Sequence, residues 1–132
     1  MRIRRMHASL ILMALCIYLQ WGRGVSVRNT ISSSWDGKRT EYMTIVANKL
    51  YIGDKEAFAR KMIETCINNE FRDVRFSYDM GYPAEITMDI YTNETARRLG
   101  IRCCEVRYAQ AEEDRYRYNV KDDRERFVMT VK

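Results

Sequence analysis

Histidine is all but missing from this chain of 132 residues. The one copy, His7, lies in an apolar leader, so the body of the protein carries no imidazole. Without it there is no Ser–His or Cys–His nucleophile pair and no imidazole metal ligand. Ser32, Ser33 and Ser34 sit in a polar stretch without a Gly-x-Ser-x-Gly turn, which removes most hydrolase templates. The four cysteines form no Cys-x-x-Cys, so neither thioredoxin-like redox work nor zinc has a motif to rest on. Internal repeats and low-complexity blocks are missing, and nothing in the pattern implies a cofactor. An excess of one charge is missing as well, once the leader is set aside. The whole chain has 23 basic and 18 acidic residues, net +5. Residues 1–24 contain Arg2, Arg4, Arg5 and Arg23 and no acid, so the rest balances 19 basic against 18 acidic residues. The basicity therefore belongs to the leader and is no argument for nucleic-acid binding. Arg115-Tyr116-Arg117-Tyr118 has the look of a base-stacking segment. Around it, however, Arg107, Arg115, Arg117, Lys121, Arg124 and Arg126 are matched by Glu112, Glu113, Asp114, Asp122, Asp123 and Glu125. A balanced segment of this kind reads as a charged loop or sheet edge.

What is present begins with that leader. Arg2, Arg4 and Arg5 precede an uncharged run from Ala8 to Leu19, closed by Gln20, Trp21 and Gly22. A basic start and about a dozen apolar residues suit a secretory signal peptide. A spanning helix needs roughly 20. Gly22 and Gly24 are small residues at suitable spacing, which predicts cleavage after Gly24, with Ser26 as the second choice. The absence of Ala-x-Ala keeps an uncleaved signal anchor as the alternative, with the N-terminus in the cytoplasm. Cys16 is a poor lipidation site, because Met13-Ala14-Leu15 precedes it and the apolar run continues past it. Arg4-Arg5 is a poor twin-arginine signal in the company of Ile3, Met6 and His7. The expected location is outside the cell or in its envelope.

The body divides into a polar linker over 25–40 and a single α+β domain over 41–132. Asp54 follows Gly53 as a helix N-cap, and Glu56 adds negative charge at the positive end of the dipole. Phe58, Ala59, Met62, Ile63, Cys66 and Ile67 then fall on one half of the helical wheel, opposite Arg60, Lys61, Glu64 and Asn68. Such a stripe requires a sheet to cover it. Val74, Phe76 and Tyr78 alternate with Arg75, Ser77 and Asp79; Ala84, Ile86, Met88 and Ile90 alternate with Glu85, Thr87, Asp89 and Tyr91. Period-two alternation with Gly81 and Pro83 between the runs predicts a β-hairpin. Further strands are predicted over 42–47, 101–108 and 127–131, a weak one over 25–31, and a capped turn over 92–100. The expected architecture is one helix on a four- to five-stranded, mainly antiparallel sheet in the order β–α–β–β–β–β.

That order resembles cystatin-like domains, but the inhibitory Gln-x-Val-x-Gly loop is replaced by Asp79-Met80-Gly81-Tyr82-Pro83, so protease inhibition does not carry over. The stretch from Ile45 to Ala59, with Phe76-Ser77-Tyr78-Asp79, resembles segments of small bacterial proteins. That resemblance implies a bacterial origin and no activity.

Few residues are left as candidates for chemistry. Cys66 belongs to the apolar stripe as a small core residue, or pairs with whichever of Cys103 and Cys104 faces the helix. Adjacent strand residues point to opposite faces, so only one of those two qualifies. Glu85 and Asp89 share the wet face of one strand about 13 Å apart, at about 3.3 Å per residue. Paired glycosidic acid/base work wants roughly 5–9.5 Å. Cross-strand pairing with Arg75, Arg102 or Arg107 is the expected fate of both carboxylates. Asn93-Glu94-Thr95 is a glycosylation sequon in a eukaryotic host and a helix cap elsewhere. Trp35 is expected over the domain edge. The chain is therefore expected to be a non-enzymatic protein-interaction domain, its surface drawn from Asp79, Tyr82, Glu85, Asp89 and Tyr91. A membrane-anchored accessory subunit, or a ligand binder or enzyme using Glu85 and Asp89, are the alternatives.

Overall fold

A computed structural model of the protein describes residues 2–35, 38–76, 82–111 and 119–132, leaving out the side chains of Trp35 and Lys38. Among these residues the chain is α+β, with helices and a five-stranded mixed sheet in the spatial order of its sequence. Helix α1 runs over Arg2–Ile17 and continues into a π-helical turn over Tyr18–Gly22. Strands β1 (Ser26–Trp35) and β2 (Lys38–Val46) form an antiparallel pair. Helix α2 (Lys55–Ile67) then crosses over to β3 (Glu85–Tyr91), which lies parallel to β2. A short helix α3 (Glu94–Arg98) leads to β4 (Cys104–Gln110), and β5 (Phe127–Val131) closes the sheet; both pairings are antiparallel.

The α2 periodicity does what its stripe predicts. Ala59, Met62, Ile63, Cys66 and Ile67 are buried, and Asp54 caps the helix by accepting from the Ala57 amide at 2.9 Å. An N-cap of this type is worth about 1 kcal/mol. Beneath α2 lie Met43 and Ile45 from β2, Ile86, Met88 and Ile90 from β3, and Cys104 and Val106 from β4, all buried. Asn69 ends the helical segment in the left-handed region at φ 55, a conformation asparagine tolerates.

Two stretches differ from expectation. The linker read over 25–40 is largely strand: β1 pairs with β2 along its length, from Ser26 opposite Val46 to Trp35 opposite Lys38. An edge strand has only one neighbour, so a Ser- and Thr-rich segment can fill it without an apolar stripe. Asp36-Gly37 lies outside the described residues. In place of the hairpin, Val74–Phe76 are irregular, although Val74 and Phe76 still pack against the core, and residues 77–81 lie outside the described residues. Asn69 holds this segment, donating to the Phe76 carbonyl at 2.9 Å and accepting from its amide at 2.8 Å. The strand that neighbours β3 on this side is β2, reached by a helical crossover, as parallel neighbours require. Alternation in Val74–Phe76 thus reports burial of one side, not membership of the sheet.

No helix among the described residues is long and apolar enough to cross a membrane. The uncharged run of α1 and its π-helical turn covers about 18 Å at 1.5 Å per residue, against a hydrocarbon core of about 30 Å. The single-pass alternative is left without a spanning helix among these residues.

Candidate functional site

With α2 on one face, the other face of the central strands carries Tyr42 and Thr44 from β2, Glu85, Thr87, Asp89 and Tyr91 from β3, and Glu105 and Arg107 from β4. Apart from the exposed Arg107, each of these is partly exposed. The pleat alone explains the sorting, because successive residues alternate sides. Asp89 is the hub. Its carboxylate accepts from the Tyr42 hydroxyl and from Arg102 Nη1 at 2.9 Å. In register it stands opposite Glu105, a pairing of like charges that costs energy unless bridged. Arg102 provides the bridge, reaching Glu105 at 3.3 Å. Four residues back along β3, Glu85 accepts from Arg107 Nε at 2.9 Å across the diagonal.

These bonds leave a mark on acidity. Donating to Asp89, with some burial added, pushes the Tyr42 hydroxyl up to about 12. The Arg102 guanidinium is likewise raised by its bond to Asp89. Both carboxylates expected on this face are therefore occupied by partners, Asp89 by two and Glu85 by Arg107. Arg75 takes no part in the group; it donates to the Asn69 carbonyl at 2.6 Å.

Of the five residues expected on an interaction surface, the structure brings together Glu85, Asp89 and Tyr91. Tyr82 is elsewhere: it packs against the core, with Lys121 Nζ over its ring at 5.1 Å. Asp79 lies outside the described residues, as does Arg115-Tyr116-Arg117-Tyr118. Tyr42 and Arg102 were not among those five. A contact between positions 47 residues apart leaves no local signal, and only knowledge of the parallel register would have found it.

Cys66 and Cys104 are buried and Cys103 is half-buried. Burial, reinforced by the neighbouring Cys103, pushes the Cys104 thiol up to about 11, against a lowering influence from Lys55 in the first turn of α2. Cys66 lies three turns further along that helix, about 16 Å at 1.5 Å per residue. Cys66 takes the core position that the apolar stripe gives it. Among the described residues no cluster of His, Cys, Asp and Glu is arranged to hold a metal ion.

Asn93 serves as a cap, its side chain accepting from the Ala96 amide at 2.9 Å. The following Glu94 gathers Arg97 at 3.0 Å, Arg28 of β1 at 3.4 Å and Arg98 at 3.6 Å. The bond from Arg97, aided by the other two cations, lowers its carboxyl from an ordinary 4.5 to about 2. A carboxyl held below its unfolded value stabilises the fold above pH 4.5 and gives that up as the pH falls towards 2. Glu94→Gln should remove this part of the acid sensitivity. In urea titrations at stepped pH, the gap between parent and variant narrows through that window.

No protein-family model matches the chain, and no curated protein or solved structure matches it either. The partial likenesses in element order and in residues 45–59 accordingly assign no family.

Proposed function

We propose that the chain is an exported protein-interaction domain without catalytic activity, acting at the cell envelope or outside the cell through the outer face of β2, β3 and β4. One observation carries the reading. The face presents Tyr91 together with Tyr42 and Arg102, both bonded to Asp89, and Arg107, bonded to Glu85. Tyrosine and arginine are the residue types enriched at protein interfaces. An array already locked by internal bonds has less side-chain freedom to lose on binding. Chemistry at Glu85 and Asp89 is less well supported, because each is engaged in a cross-strand pair and they lie on one strand four residues apart.

The test is a photo-crosslinking amino acid placed at Tyr91 or, for comparison, at Lys61 on the solvent side of α2, in the exporting cell. Tyr91 is expected to yield one discrete adduct and Lys61 none. Arg107→Glu, which sets a like charge beside Glu85, should cut the Tyr91 adduct at least about tenfold, since misplaced like charges cost several kcal/mol. Equal yields at both positions, or reproducible substrate turnover by the purified protein, would overturn the reading.

A further inference from the structure

The large apolar side chains that stay exposed are not scattered. Ten of them lie on the N-terminal helix and its π-helical turn, from Ile3 to Trp21. Among the described residues of the body the others are Ile31, Leu50, Tyr51, Leu99, Ile101 and Val128. Four of those six, Leu50, Tyr51, Leu99 and Ile101, sit in the two connections at one end of the sheet. That end is defined by the register: Val46 is paired with both Tyr91 and Ser26, and Ile90 with Cys104. The 47–54 loop, the 92–103 connection and the chain arriving from the helix all leave from it.

The helix is also fastened there. Gln20 accepts from the amides of Leu50 and Tyr51 at 2.9 and 3.0 Å and donates to the Tyr51 carbonyl at 2.6 Å. Lys49 Nζ donates to the Gln20 carbonyl at 2.9 Å, and Asn48 holds the Gly24 carbonyl at 2.9 Å. The loop that exposes Leu50 and Tyr51 is therefore bonded to the base of the apolar helix, so whatever medium takes up the helix lies beside the loop. At this junction stand Tyr18, Trp21 and Tyr51, each more than half exposed. Tyrosine and tryptophan concentrate at the head-group layer, where an apolar ring and a polar edge are both satisfied. The leader adds Arg2, Arg4, Arg5 and Arg23 and no acid, a balance that favours an anionic surface.

We infer that the leader is retained rather than cut after Gly24, and that this end of the domain, with Tyr18, Trp21, Leu50 and Tyr51 at its centre, is a docking surface for an anionic phospholipid layer. The helix enters the interfacial region without crossing the bilayer, and the Leu50–Tyr51 loop is the second point of contact. Two contacts fix the tilt of the domain as one would not, because interfacial anchoring strengthens with buried apolar area and with charge. The sheet face between β2 and β4 is left clear for a protein.

The experiment uses the full chain bearing Trp35→Phe, which makes Trp21 the only tryptophan. Its emission and its co-sedimentation are followed with vesicles of phosphatidylcholine alone and of equal parts phosphatidylcholine and phosphatidylglycerol. Expected are a blue shift of Trp21 and tighter partitioning on the anionic vesicles. Leu50→Asp with Tyr51→Asp should weaken that partitioning about tenfold or more, while Ile31→Asp with Val128→Asp leaves it unchanged. Thermal unfolding of each variant shows that the fold survives; if the loop double variant unfolds, Leu50→Ser with Tyr51→Ser takes its place. No partitioning by the parent, or equal losses from both pairs, overturns the inference. So does a blue shift that appears without lipid and grows with protein concentration, which would assign the surface to a second copy. Arg107→Glu should leave partitioning intact, so this inference and the sheet-face reading fail separately.

Discussion

Arg39→Met should lower the unfolding free energy by about 3–5 kcal/mol, the range found when one partner of a buried ion pair is removed. The carboxylate it leaves behind is Glu41, which is fully buried on the helix-facing side of β2 beside Met43. Its Oε1 accepts from Arg39 Nε at 3.0 Å and from Nη2 at 2.9 Å, and its Oε2 from the Ser32 hydroxyl at 2.6 Å. Taking the guanidinium away strips the charge of its cation while leaving it out of water. An exposed pair gives the contrast. Arg60 and Glu56, 3.5 Å apart on α2 with both side chains well exposed, should lose only about 0.3–0.5 kcal/mol on Arg60→Met. The informative variant is the double one, Arg39→Met with Glu41→Leu. Replacing a whole buried pair by apolar side chains is often neutral or better, so the double variant should regain most of what the single one loses. Urea midpoints measured on parent, single and double variants decide it. A double variant no more stable than Arg39→Met would mean that the loss comes from packing rather than from an abandoned charge.

Glu41 also shows where reading a sequence stops. Tyr42-Met43-Thr44-Ile45-Val46 identifies a strand, and Met43 and Ile45 mark its buried side, but Glu41 shares that side and nothing nearby in sequence announces it. Its partner Ser32 belongs to a stretch that reads as linker, because a Ser-rich edge strand has no apolar alternation to report. Helix α2 was legible in full because its stripe, cap and breaker all agree. β3 was legible because Ile86, Met88 and Ile90 alternate with polar residues, and so was the wet face that Glu85, Asp89 and Tyr91 share. The neighbour of β3 was not. Periodicity says which side of a strand is buried and is silent on which strand lies next to it, so a helical crossover to β2 and a hairpin to residues 74–79 look alike. Arg102 and Arg107 were foreseeable partners of the carboxylates, being the cations of the adjacent strand region. Tyr42 was not, since its bond to Asp89 exists only through the parallel register.

That register also selects a sensitive apolar position. Ile90→Ala should cost about 2–5 kcal/mol, the usual range for truncating a buried isoleucine. Ile90 is fully buried, with Ile45 of β2 on one side and Cys104 of β4 on the other. The size of the loss depends on whether neighbours can move into the space. Here they are poorly placed to do so. Both flanking residues are tied to ladders, the next residue Tyr91 accepts from the Ala47 amide at 2.8 Å, and the Ile90 carbonyl accepts from the Cys103 amide at 2.8 Å. Ile90→Val, which removes one methyl group, should cost about 0.5–1.5 kcal/mol, and Val128→Ala on the exposed side of β5 no more than about 0.5. Denaturant titrations of the three variants test the order as well as the sizes. Ile90 also separates Asp89 from Tyr91, so a strand that shifts to fill the space must carry the outer array with it. The Tyr42–Asp89 bond then weakens, and the Tyr42 hydroxyl, held at about 12 by that bond, ionises at lower pH in Ile90→Ala. A spectrophotometric tyrosinate titration unchanged from the parent would show that β3 keeps its place and that the loss is that of a rigid cavity.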